Sequence, residues 1–484
     1  MTDVHTAPSP RNWRHLEKPS ADGYAFTLIS YNVLSPNYAT PTQYPYCPTY
    51  AMDWEYRRRS ILDELRNYNA SIICLQELDT NQFDDVFKPQ LAQADYDGVF
   101  IAKSRSRTMD ASDCKKVDGC AIFWKRDSMH DSANPVSSFC SFEKICEFQH
   151  EFMLSCSNVS ETPAPLLLNR VMTRDNVALG VVFETKGSNP RQFCVTTGHI
   201  HWDPEHSDVK VIQSIMWTAE LWAYLDAFFA QNLGSKENRG TTRLAHDISS
   251  PSNPLVTGKP MDNSPAARMP VIMCGDFNSL PNSGVVEFLL NGRLNKKHAE
   301  FLDYGFKYMF EDWKMLEKWA VDGDVVRHRF QFDRAHHEGQ GVTFTNYTYD
   351  FKGMIDYVFF TRKHLRLLGS LDQVPESWFA ENRVMGCPHV HMASDHFPLL
   401  VELELLAETT DTATPEELKK GSSAPNSNNK QVANKRSANG TSESASATPA
   451  SSFSPGPKAI GQRNANNNNG SGGGGKQMRY NEKK

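Results

Sequence analysis

The sequence predicts an α+β fold, a two-layer β-sandwich flanked by helices, because strand-like runs are numerous and few helical patterns separate them. Eight runs are rich in β-branched, aromatic and other apolar residues, as strands are. They are YAFTLISYNV (24–33), ASIICLQEL (70–78), CAIFWK (120–125), NVALGVVFE (176–184), QFCVTTGHI (192–200), PVIMCGDF (270–277), MIDYVFFT (354–361) and FPLLVELEL (397–405). This arrangement favours layered sheets over a strict alternation of strands and helices.

Two segments between these runs have the apolar spacing of amphipathic helices. In WEYRRRSILDELRNY (54–68), Ile61, Leu62 and Leu65 fall on one face. The second segment is SDVKVIQSIMWTAELWAYLDAFFA (207–230). It is predicted to begin with Ser207 as its N-terminal cap, with Asp208 in its first turn.

The 484-residue chain is predicted to contain one large domain between polar flanking segments. Residues 1–23 read as a flexible N-terminal arm, and residues 24–405 as the domain. A Pro-, Gly- and Ser-rich stretch at 233–268 is predicted to be a mobile surface insertion. Residues 406–484 are rich in Ser, Asn and Gly and cannot bury enough apolar area to fold alone, so this tail is predicted to be disordered.

Composition excludes several classes of protein. No apolar run approaches the ~20 residues of a membrane span, and the N-terminus lacks the apolar region of a signal peptide. Ten scattered cysteines without a CxxC pair favour reduced thiols inside a cell. The tail holds six acidic and eleven basic residues, which leaves 51 acidic against 40 basic residues before it. This acidic body argues against nucleic-acid binding through bulk charge and suits carboxylates that hold divalent cations.

Polar side chains recur where the predicted strands end or begin. They are Asn32, Glu77, His199, Asp276 with Asn278, Asp356, and Asp395 with His396. A single carboxylate at a strand end is usually a turn residue, and a lone histidine is usually structural. The complete set is much harder to reach by chance, and it predicts one shared site.

Six short motifs carry these residues in the order YNVL, LQE, GHIHWD, GDFNSLP, IDYVF and SDHFPL. This order resembles the endonuclease/exonuclease/phosphatase superfamily. Longer motifs, which extend over nearly all of residues 26–405, resemble the carbon-catabolite-repressor type of mRNA deadenylase. They are YCPTYAMDWEYRRRSIL, KVDGCAIFWK, LNRVMTRDNVALGVV, HWDPEHSDVKVIQ, NSLPNSGVVEFL, FTNYTYDFKGMIDYVF and GCPHVHMASDHFPLL. The resemblance implies a two-sheet sandwich that cleaves phosphoesters with magnesium.

The resemblance implies a metal site built on strand ends. Glu77 is the principal Mg²⁺ ligand, Asn32 orients metal-bound water or phosphate, and Asp395 adds an acid near the metal. One or two Mg²⁺ ions are implied, with Mn²⁺ as an alternative ion. Mg²⁺ requires hard oxygen ligands, and a strand end fixes a carboxylate better than a loop does.

Other strand-end residues are implied to act on phosphate and water. Asp276 positions and deprotonates the attacking water, and Asn278 donates its amide to phosphate or steadies the nucleophile. Asp356 fixes the imidazole of His396, so that a cation faces the scissile phosphate. His199 contacts phosphate or the leaving group. His201 should point to the opposite face of the strand, and it is predicted to be structural.

In the resembled enzymes an Asn, a Phe and a Pro surround the terminal adenine. The matching positions here are Asn346, Phe351 and Pro204, although Phe351 could instead pack in the core. Single-stranded bases are bound mainly by stacking and by hydrogen bonds to their edges. Arg170 and Lys352 are candidate phosphate contacts, with solvated surface positions as the alternative.

The predicted function is a Mg²⁺-dependent 3′-to-5′ exoribonuclease that shortens mRNA poly(A) tails and releases AMP. Partners are the 3′ end of poly(A) mRNA and subunits of the deadenylase complex, although the chain shows no leucine-rich repeat pattern for docking. Its compartment is the cytoplasm, with the nucleus as a second location. Three alternatives stay open: a nocturnin-like phosphatase of dinucleotides or small molecules, a structure-specific DNA nuclease, and an inactive scaffold tethered to mRNA.

Overall fold

A computed structural model describes residues 6–126, 142–152, 169–186, 189–232, 264–304, 321–322, 324–337 and 341–407. The chain divides into two units, residues 1–408 and residues 409–484. The second unit lies outside the described residues. The predicted disordered tail beyond residue 407 and residues 233–263 of the predicted insertion lie outside them as well.

The strands are numbered in chain order. They are β1 (Trp13–His15), β2 (Tyr24–Asn32), β3 (Ile72–Asp79), β4 (Tyr96–Ala102), β5 (Asp118–Lys125), β6 (Phe142–Glu151), β7 (Val177–Thr185), β8 (Gln192–His199), β9 (Val271–Asp276), β10 (Arg293–Asn295), β11 (Val321–Asp322), β12 (Val325–Arg327), β13 (Phe332–Arg334), β14 (Asn346–Tyr347), β15 (Lys352–Gly353), β16 (Asp356–Thr361), β17 (Leu365–Leu371) and β18 (Leu399–Leu405).

The α-helices are α1 (Thr49–Met52), α2 (Trp54–Tyr68), α3 (Thr80–Gln82), α4 (Lys88–Ala92), α5 (Ser207–Asn232), α6 (Gly284–Asn291) and α7 (Glu376–Glu381). A π-helical turn, Phe83–Phe87, joins α3 to α4. Short 3-10 turns lie at Ser104–Thr108, Cys114–Lys116, Pro204–His206, Pro265–Arg268 and Ala299–Tyr304. Among the described residues, no helix is both long and apolar enough to cross a membrane.

Two sheets form the body of the fold. The first has seven strands in the order β1-β17-β18-β2-β3-β5-β4, and the second has six in the order β13-β16-β9-β8-β7-β6. Most neighbouring strands are antiparallel, but β2 pairs with β3 in parallel, and so does β8 with β9. Helix α2 connects the first parallel pair, and α5 lies in the connection of the second. Parallel neighbours need such crossovers, because a short turn cannot return the chain to the same end of the sheet.

The alternation of side chains along each strand sorts them into different layers. In β2, Leu28 belongs to the core that also contains Val195 and Met273 of the second sheet. The next residue, Ile29, points to the other face and packs in a cluster with Ile61 of α2. Because successive side chains point to opposite faces, one sheet contributes to both layers. The predicted two-layer sandwich flanked by helices is confirmed.

All eight predicted strands are present, but the prediction missed several others, including β1, β4, β6, β13 and β17. Four of these, β1, β4, β6 and β13, are edge strands. An edge strand is partly exposed and therefore lacks the continuous apolar run of a central one. The fifth, β17, contains Gly369 and a register shift between Leu367 and Gly369, which interrupt its pattern.

The structure differs from the predicted flexible arm at residues 1–23. Strand β1 pairs with β17, with Trp13 opposite Leu371. Arg11 Nη1 donates to the carbonyl of Pro398 at 2.9 Å, which ties this segment to the sheet. The polar composition of the segment conceals these backbone contacts. Residues 1–5 of the predicted arm lie outside the described residues.

The predicted cap of the long helix is also corrected. Ser207 has helical backbone angles, with φ −57° and ψ −37°, and its hydroxyl donates to the carbonyl of Glu300. Helical geometry begins earlier, at the 3-10 turn Pro204–His206, where Asp203 accepts the backbone N–H of Glu205 at 2.8 Å. Proline suits the first position of such a turn because its fixed φ is helical and its missing donor is not needed there.

A buried cation connects helix α2 to the strand ends. Arg57 is fully buried and donates to the carbonyls of Met52, Val33, Leu34 and Ala393, at 3.2, 3.2, 2.9 and 3.1 Å. Two of these carbonyls directly follow β2, and that of Ala393 belongs to the segment leading to β18. The guanidinium therefore fixes the backbone on which several predicted site residues lie.

We expect Arg57→Lys to lower the free energy of unfolding by ~3 kcal/mol, because a lysine cannot satisfy these four carbonyls and leaves its own charge poorly paired. Urea denaturation measures the change. Arg59→Lys on the same helix is the matched control, since the Arg59 side chain is 74% exposed and should change stability by less than ~0.5 kcal/mol. Equal effects of the two substitutions would contradict this role for Arg57.

Candidate active site

The strand ends that carry the predicted residues meet at one edge of the sandwich. In the first sheet, Asn32 at the end of β2 lies opposite Gln76, next to Glu77. In the second sheet, His199 at the end of β8 lies opposite Asp276 at the end of β9. Carboxyl ends of parallel neighbours share an edge, so each parallel pair delivers two site residues together.

Asn32 joins the two sheets directly. Its amide nitrogen donates to Glu77 Oε1 at 3.2 Å and to Asp276 Oδ2 at 3.0 Å. Its own carbonyl oxygen accepts the backbone N–H of Leu34 at 3.0 Å, which fixes the orientation of the amide. Asn32 is completely buried. One side chain therefore places the carboxylates of Glu77 and Asp276 side by side, which a turn residue at an isolated strand end would not do.

Glu77 occupies an irregular position in its strand. Its φ is +57°, in the left-handed region, and the register between β3 and β5 shifts between Gln76 and Leu78. A bulge of this kind redirects a side chain, and left-handed backbone is costly for a residue other than glycine. The backbone N–H of Ser35 donates to Glu77 Oε2 at 3.1 Å. The carboxylate is thus held at the strand end, 7% exposed.

Two glycines allow β8 and β9 to approach each other beside Asp276. Gly198 lies opposite Gly275. Gly275 has φ +136°, and a Cβ there would lie 2.1 Å from the carbonyl oxygen of Gly198. Only glycine fits this backbone and this spacing. Gly275, the glycine of the GDFN motif, therefore helps to position Asp276, which follows it.

Asp276 lies at the centre of the cluster. Its Oδ1 accepts the backbone N–H of Asn278 at 2.9 Å. His199 Nε2 lies 3.5 Å from Asp276 Oδ2, and His396 Nε2 lies 3.7 Å from the same oxygen. Burial raises the pKa of the Asp276 carboxyl, and the nearby Asp356 carboxylate raises it further. Such a carboxyl is a better base than one in water.

Asp356 and His396 form the predicted carboxylate–imidazole pair. His396 Nδ1 and Asp356 Oδ2 are 2.8 Å apart, and both side chains are buried. Burial disfavours the imidazolium and by itself would lower the pKa of His396. The opposite effect, from the negative charges of Asp356, Asp276 and Asp395, is larger and raises this pKa to about 10. The ring therefore carries a positive charge at neutral pH in the metal-free protein.

Asn278 and Asp395 are both held by neighbours that the sequence did not suggest. Asn278 donates one side-chain amide hydrogen to the backbone carbonyl of Ile200 at 3.1 Å, and the backbone carbonyl of Asn278 accepts a hydrogen bond from Lys210 Nζ at 2.8 Å. Asp395 Oδ2 accepts the hydroxyl of Tyr44 at 2.8 Å. No spacing rule marks Lys210 or Tyr44, because a helix brings one of them to the site and an irregular loop the other.

The donor set fits a hard divalent cation. Ligand atoms of Asp276, Asp356 and His396 lie within 4.8 Å of one another. Glu77 does not belong to that group, but Glu77 and Asp276 both accept a hydrogen bond from the Asn32 amide. Buried carboxylates close together repel one another, and a cation relieves that repulsion. Carboxylate oxygens are the ligands that Mg²⁺ prefers.

The predicted adenine-binding residues lie on two segments. Asn346 is buried and forms a backbone bridge with His396, so it adjoins the cluster. Phe351 is 37% exposed, and its ring and the Leu280 side chain both lie next to Gly353. It lies in the hairpin of β14 and β15 and is not a core residue. Pro204 is exposed in the 3-10 turn that follows His199 and His201.

The two candidate phosphate contacts are engaged in ion pairs. Arg170 makes two hydrogen bonds of 2.8 Å to the carboxylate of Asp208. Lys352 Nζ lies 2.9 Å from Glu376 Oε2 and 4.3 Å from the centre of the Phe344 ring. Phosphate binding by either residue would require its ion pair to open, so these two roles stay predictions without support from this geometry.

Comparison with known proteins agrees with the motif order. A family model described as the endonuclease/exonuclease/phosphatase family matches residues 29–195 and 217–396. "CCR4-NOT transcription complex subunit 6-like" of Danio rerio is 36% identical over 389 residues, which are 78% of this chain and 62% of that protein. "CCR4-Not complex 3'-5'-exoribonuclease subunit Ccr4" of Schizosaccharomyces pombe is 36% identical over 398 residues, 81% of this chain and 51% of that protein. The narrower resemblance indicated by the longer motifs is confirmed.

A solved structure supports the fold alone. The structure of ANGEL2, described as a 2′,3′-cyclic phosphatase, covers 83% of this chain and 99% of its own, with a TM-score of 0.56 and 22% identity. The chain itself spans between about half and two thirds of the curated relatives named above. Because the family match extends over both sheets and includes the ends of β2, β3, β9 and β16, the chain belongs to the endonuclease/exonuclease/phosphatase family.

Proposed function

We propose that this chain is a 3′-to-5′ exoribonuclease that shortens poly(A) tails and releases AMP. The observation that carries the proposal is the bridge by Asn32, which brings Glu77 of one sheet next to Asp276 of the other. The Schizosaccharomyces pombe relative is named as a 3'-5'-exoribonuclease subunit, which supports the reaction class. Release of AMP follows if water attacks the last phosphodiester and the 3′-oxygen of the preceding nucleotide leaves.

Mg²⁺ is the ion we propose for the site, with Mn²⁺ as an alternative. Glu77, oriented by Asn32 and by the N–H of Ser35, would hold it, and Asp395 would add charge nearby. When bound, the ion neutralises negative charge that develops on phosphate oxygens. Asp276, Asp356 and His396 together offer ligand atoms for a second ion, so one or two ions are proposed.

The remaining residues are proposed to orient water and phosphate. Asp276, whose pKa is raised, would accept a proton from the attacking water. The charged ring of His396, fixed by Asp356, would face the phosphate. His199 Nε2 is 3.5 Å from Asp276 Oδ2, and His199 would contact phosphate or the leaving oxygen. The second amide hydrogen of Asn278 is the one we propose for phosphate, because the first is bound to Ile200.

Adenine preference is proposed to come from Asn346, Phe351 and Pro204. Phe351 presents part of its ring to solvent from a short hairpin, as a stacking surface for a base would. Stacking on an aromatic ring contributes ~1–3 kcal/mol per base, and differences in stacking strength give a modest preference among bases. The buried amide of Asn346 would add hydrogen bonds to the edge of adenine, and these discriminate better.

The partners and the location are also proposals. The relatives are named as subunits of the CCR4-NOT complex, and this supports poly(A) mRNA and subunits of a deadenylase complex as partners. It supports the cytoplasm, with the nucleus as a second location. The relatives extend well beyond the matched region, so contacts made by their other parts are not carried over to this chain.

With Mg²⁺, the purified chain should shorten 5′-labelled oligo(A) into a ladder, and a chelator should abolish the ladder. Glu77→Ala should lower the rate at least ~10²-fold with little loss of thermal stability, since even residues that only support metal ligands change activity 10–100-fold. Glu143→Ala, an exposed glutamate of strand β6, is the matched control. An inert wild-type protein would favour the scaffold, and preferential release of phosphate from a dinucleotide would favour the phosphatase.

Phe351→Ala should lower kcat/KM on oligo(A) by ~10-fold, because it removes a stacking surface of ~1–3 kcal/mol. It should lower the ratio of oligo(A) to oligo(U) cleavage while leaving the Mg²⁺ concentration for half-maximal activity unchanged. Tyr349→Ala is the matched control, since Tyr349 lies in the same hairpin and is 73% exposed. An unchanged ratio for Phe351→Ala would remove this residue from the adenine site.

A further inference from the structure

A second group of potential metal ligands lies in the loop after β8, on the HWDPEH motif. It consists of His201, Asp203 and His206, which we call the 201–206 cluster. One ligand atom from each residue can be chosen so that all three lie within 4.8 Å of one another. None of the roles proposed above for phosphate, water or adenine uses these three side chains.

The backbone of the loop accounts for this grouping. Asp203 caps the 3-10 turn Pro204–His206, and this turn brings His206 back over the cap, so that His206 Nδ1 lies 2.9 Å from Asp203 Oδ2. The backbone N–H of His201 donates to Gln213 Oε1 at 2.8 Å, which fixes the start of the loop against helix α5. The rings of His201 and His206 are 5.1 Å apart and nearly perpendicular. The three side chains therefore converge from a short, well-anchored segment.

His201 provides an independent sign that the cluster binds a ligand. It is 5% exposed, and within the described part of the chain its Nε2 atom has no hydrogen-bond partner. A buried ring nitrogen without a partner costs free energy, so such atoms usually have an explanation.

We propose that the 201–206 cluster binds a single transition-metal ion of the Zn²⁺ class, through His201 Nε2, a carboxylate oxygen of Asp203 and His206 Nδ1. Two imidazoles and one carboxylate suit Zn²⁺, whereas Mg²⁺ prefers oxygen ligands only. Tetrahedral Zn²⁺ sites place neighbouring nitrogen ligands about 3.3 Å apart, given bonds of ~2.0 Å. The three ligand atoms, which lie within 4.8 Å of one another, would have to close by up to about 1.5 Å to reach that spacing, and a fourth position would stay open to water or phosphate.

The metal would compete with Arg174 for His206. In this structure Arg174 Nη2 lies 3.2 Å from His206 Nε2, where the guanidinium can only donate. His206 Nε2 therefore accepts this hydrogen bond. The proton of the neutral ring is then on Nδ1, which faces Asp203. A metal on Nδ1 moves that proton to Nε2, which can no longer accept from Arg174. Binding the ion therefore requires the arginine to move away, and the arginine weakens the site both by its charge and by this contact.

Cobalt tests the proposal without reference to nuclease activity. The intact 484-residue chain, stripped with a chelator, is titrated with Co²⁺ while visible absorption is recorded, because four- or five-coordinate Co²⁺ absorbs more strongly than octahedral Co²⁺. We expect one Co²⁺ with intense bands, displaced by Zn²⁺ and not by Mg²⁺. The bands should persist in Glu77→Ala. They should be absent from His201→Ala and His206→Ala but present in the control His337→Ala, whose imidazole is 44% exposed.

Arg174→Gln tests the proposal through a gain of metal affinity, which misfolding cannot produce. It should bind Co²⁺ ~10-fold more tightly than the wild type, since groups next to metal ligands change affinity by about 10–100-fold. No intense bands in the wild type, bands that survive His206→Ala, or weaker binding by Arg174→Gln would overturn the proposal. Failure of the oligo(A) assay would leave it intact, because these titrations use no RNA.

Discussion

The site depends on one amide group. Asn32 donates to Glu77 in the first sheet and to Asp276 in the second, and hydrogen bonds to carboxylates are among the stronger ones, at ~1.5–3 kcal/mol each. Apolar burial between the sheets is non-directional, whereas these two bonds fix the relative position of the sheets at the edge where the chemistry is expected. They also hold two like charges close together, which favours a cation between them.

Local strain and close packing support that arrangement. The bulge in β3 sets Glu77 in left-handed backbone, and Gly198 and Gly275 let β8 and β9 approach where Asp276 begins its turn. Neither feature improves the fold by itself, since a bulge interrupts a ladder and glycine adds flexibility to the unfolded chain. The bulge and the two glycines are both explained if they serve to position the carboxylates and not to stabilise the sheets.

Much of this could be predicted from sequence, and the failures have physical reasons. The central strands were predicted because continuous apolar runs mark strands buried on both faces, whereas β4 and β6 are edge strands with mixed patterns. The residues at strand ends were grouped correctly because neighbouring strands end at a common edge. Lys210, Tyr44 and the ion pair of Arg170 with Asp208 were missed, because these contacts join segments far apart in sequence and obey no spacing rule.

Crystals soaked in Mn²⁺, with anomalous scattering recorded at the manganese edge, test the central claim most directly. If Asn32 assembles a metal site from both sheets, the strongest peak will lie within ~2.2 Å of a Glu77 carboxylate oxygen, on the side that faces Asp276. A second peak next to Asp276 and Asp356 would fit the same account. Peaks confined to surface carboxylates, with Glu77 and Asp276 still bridged only by Asn32, would contradict it.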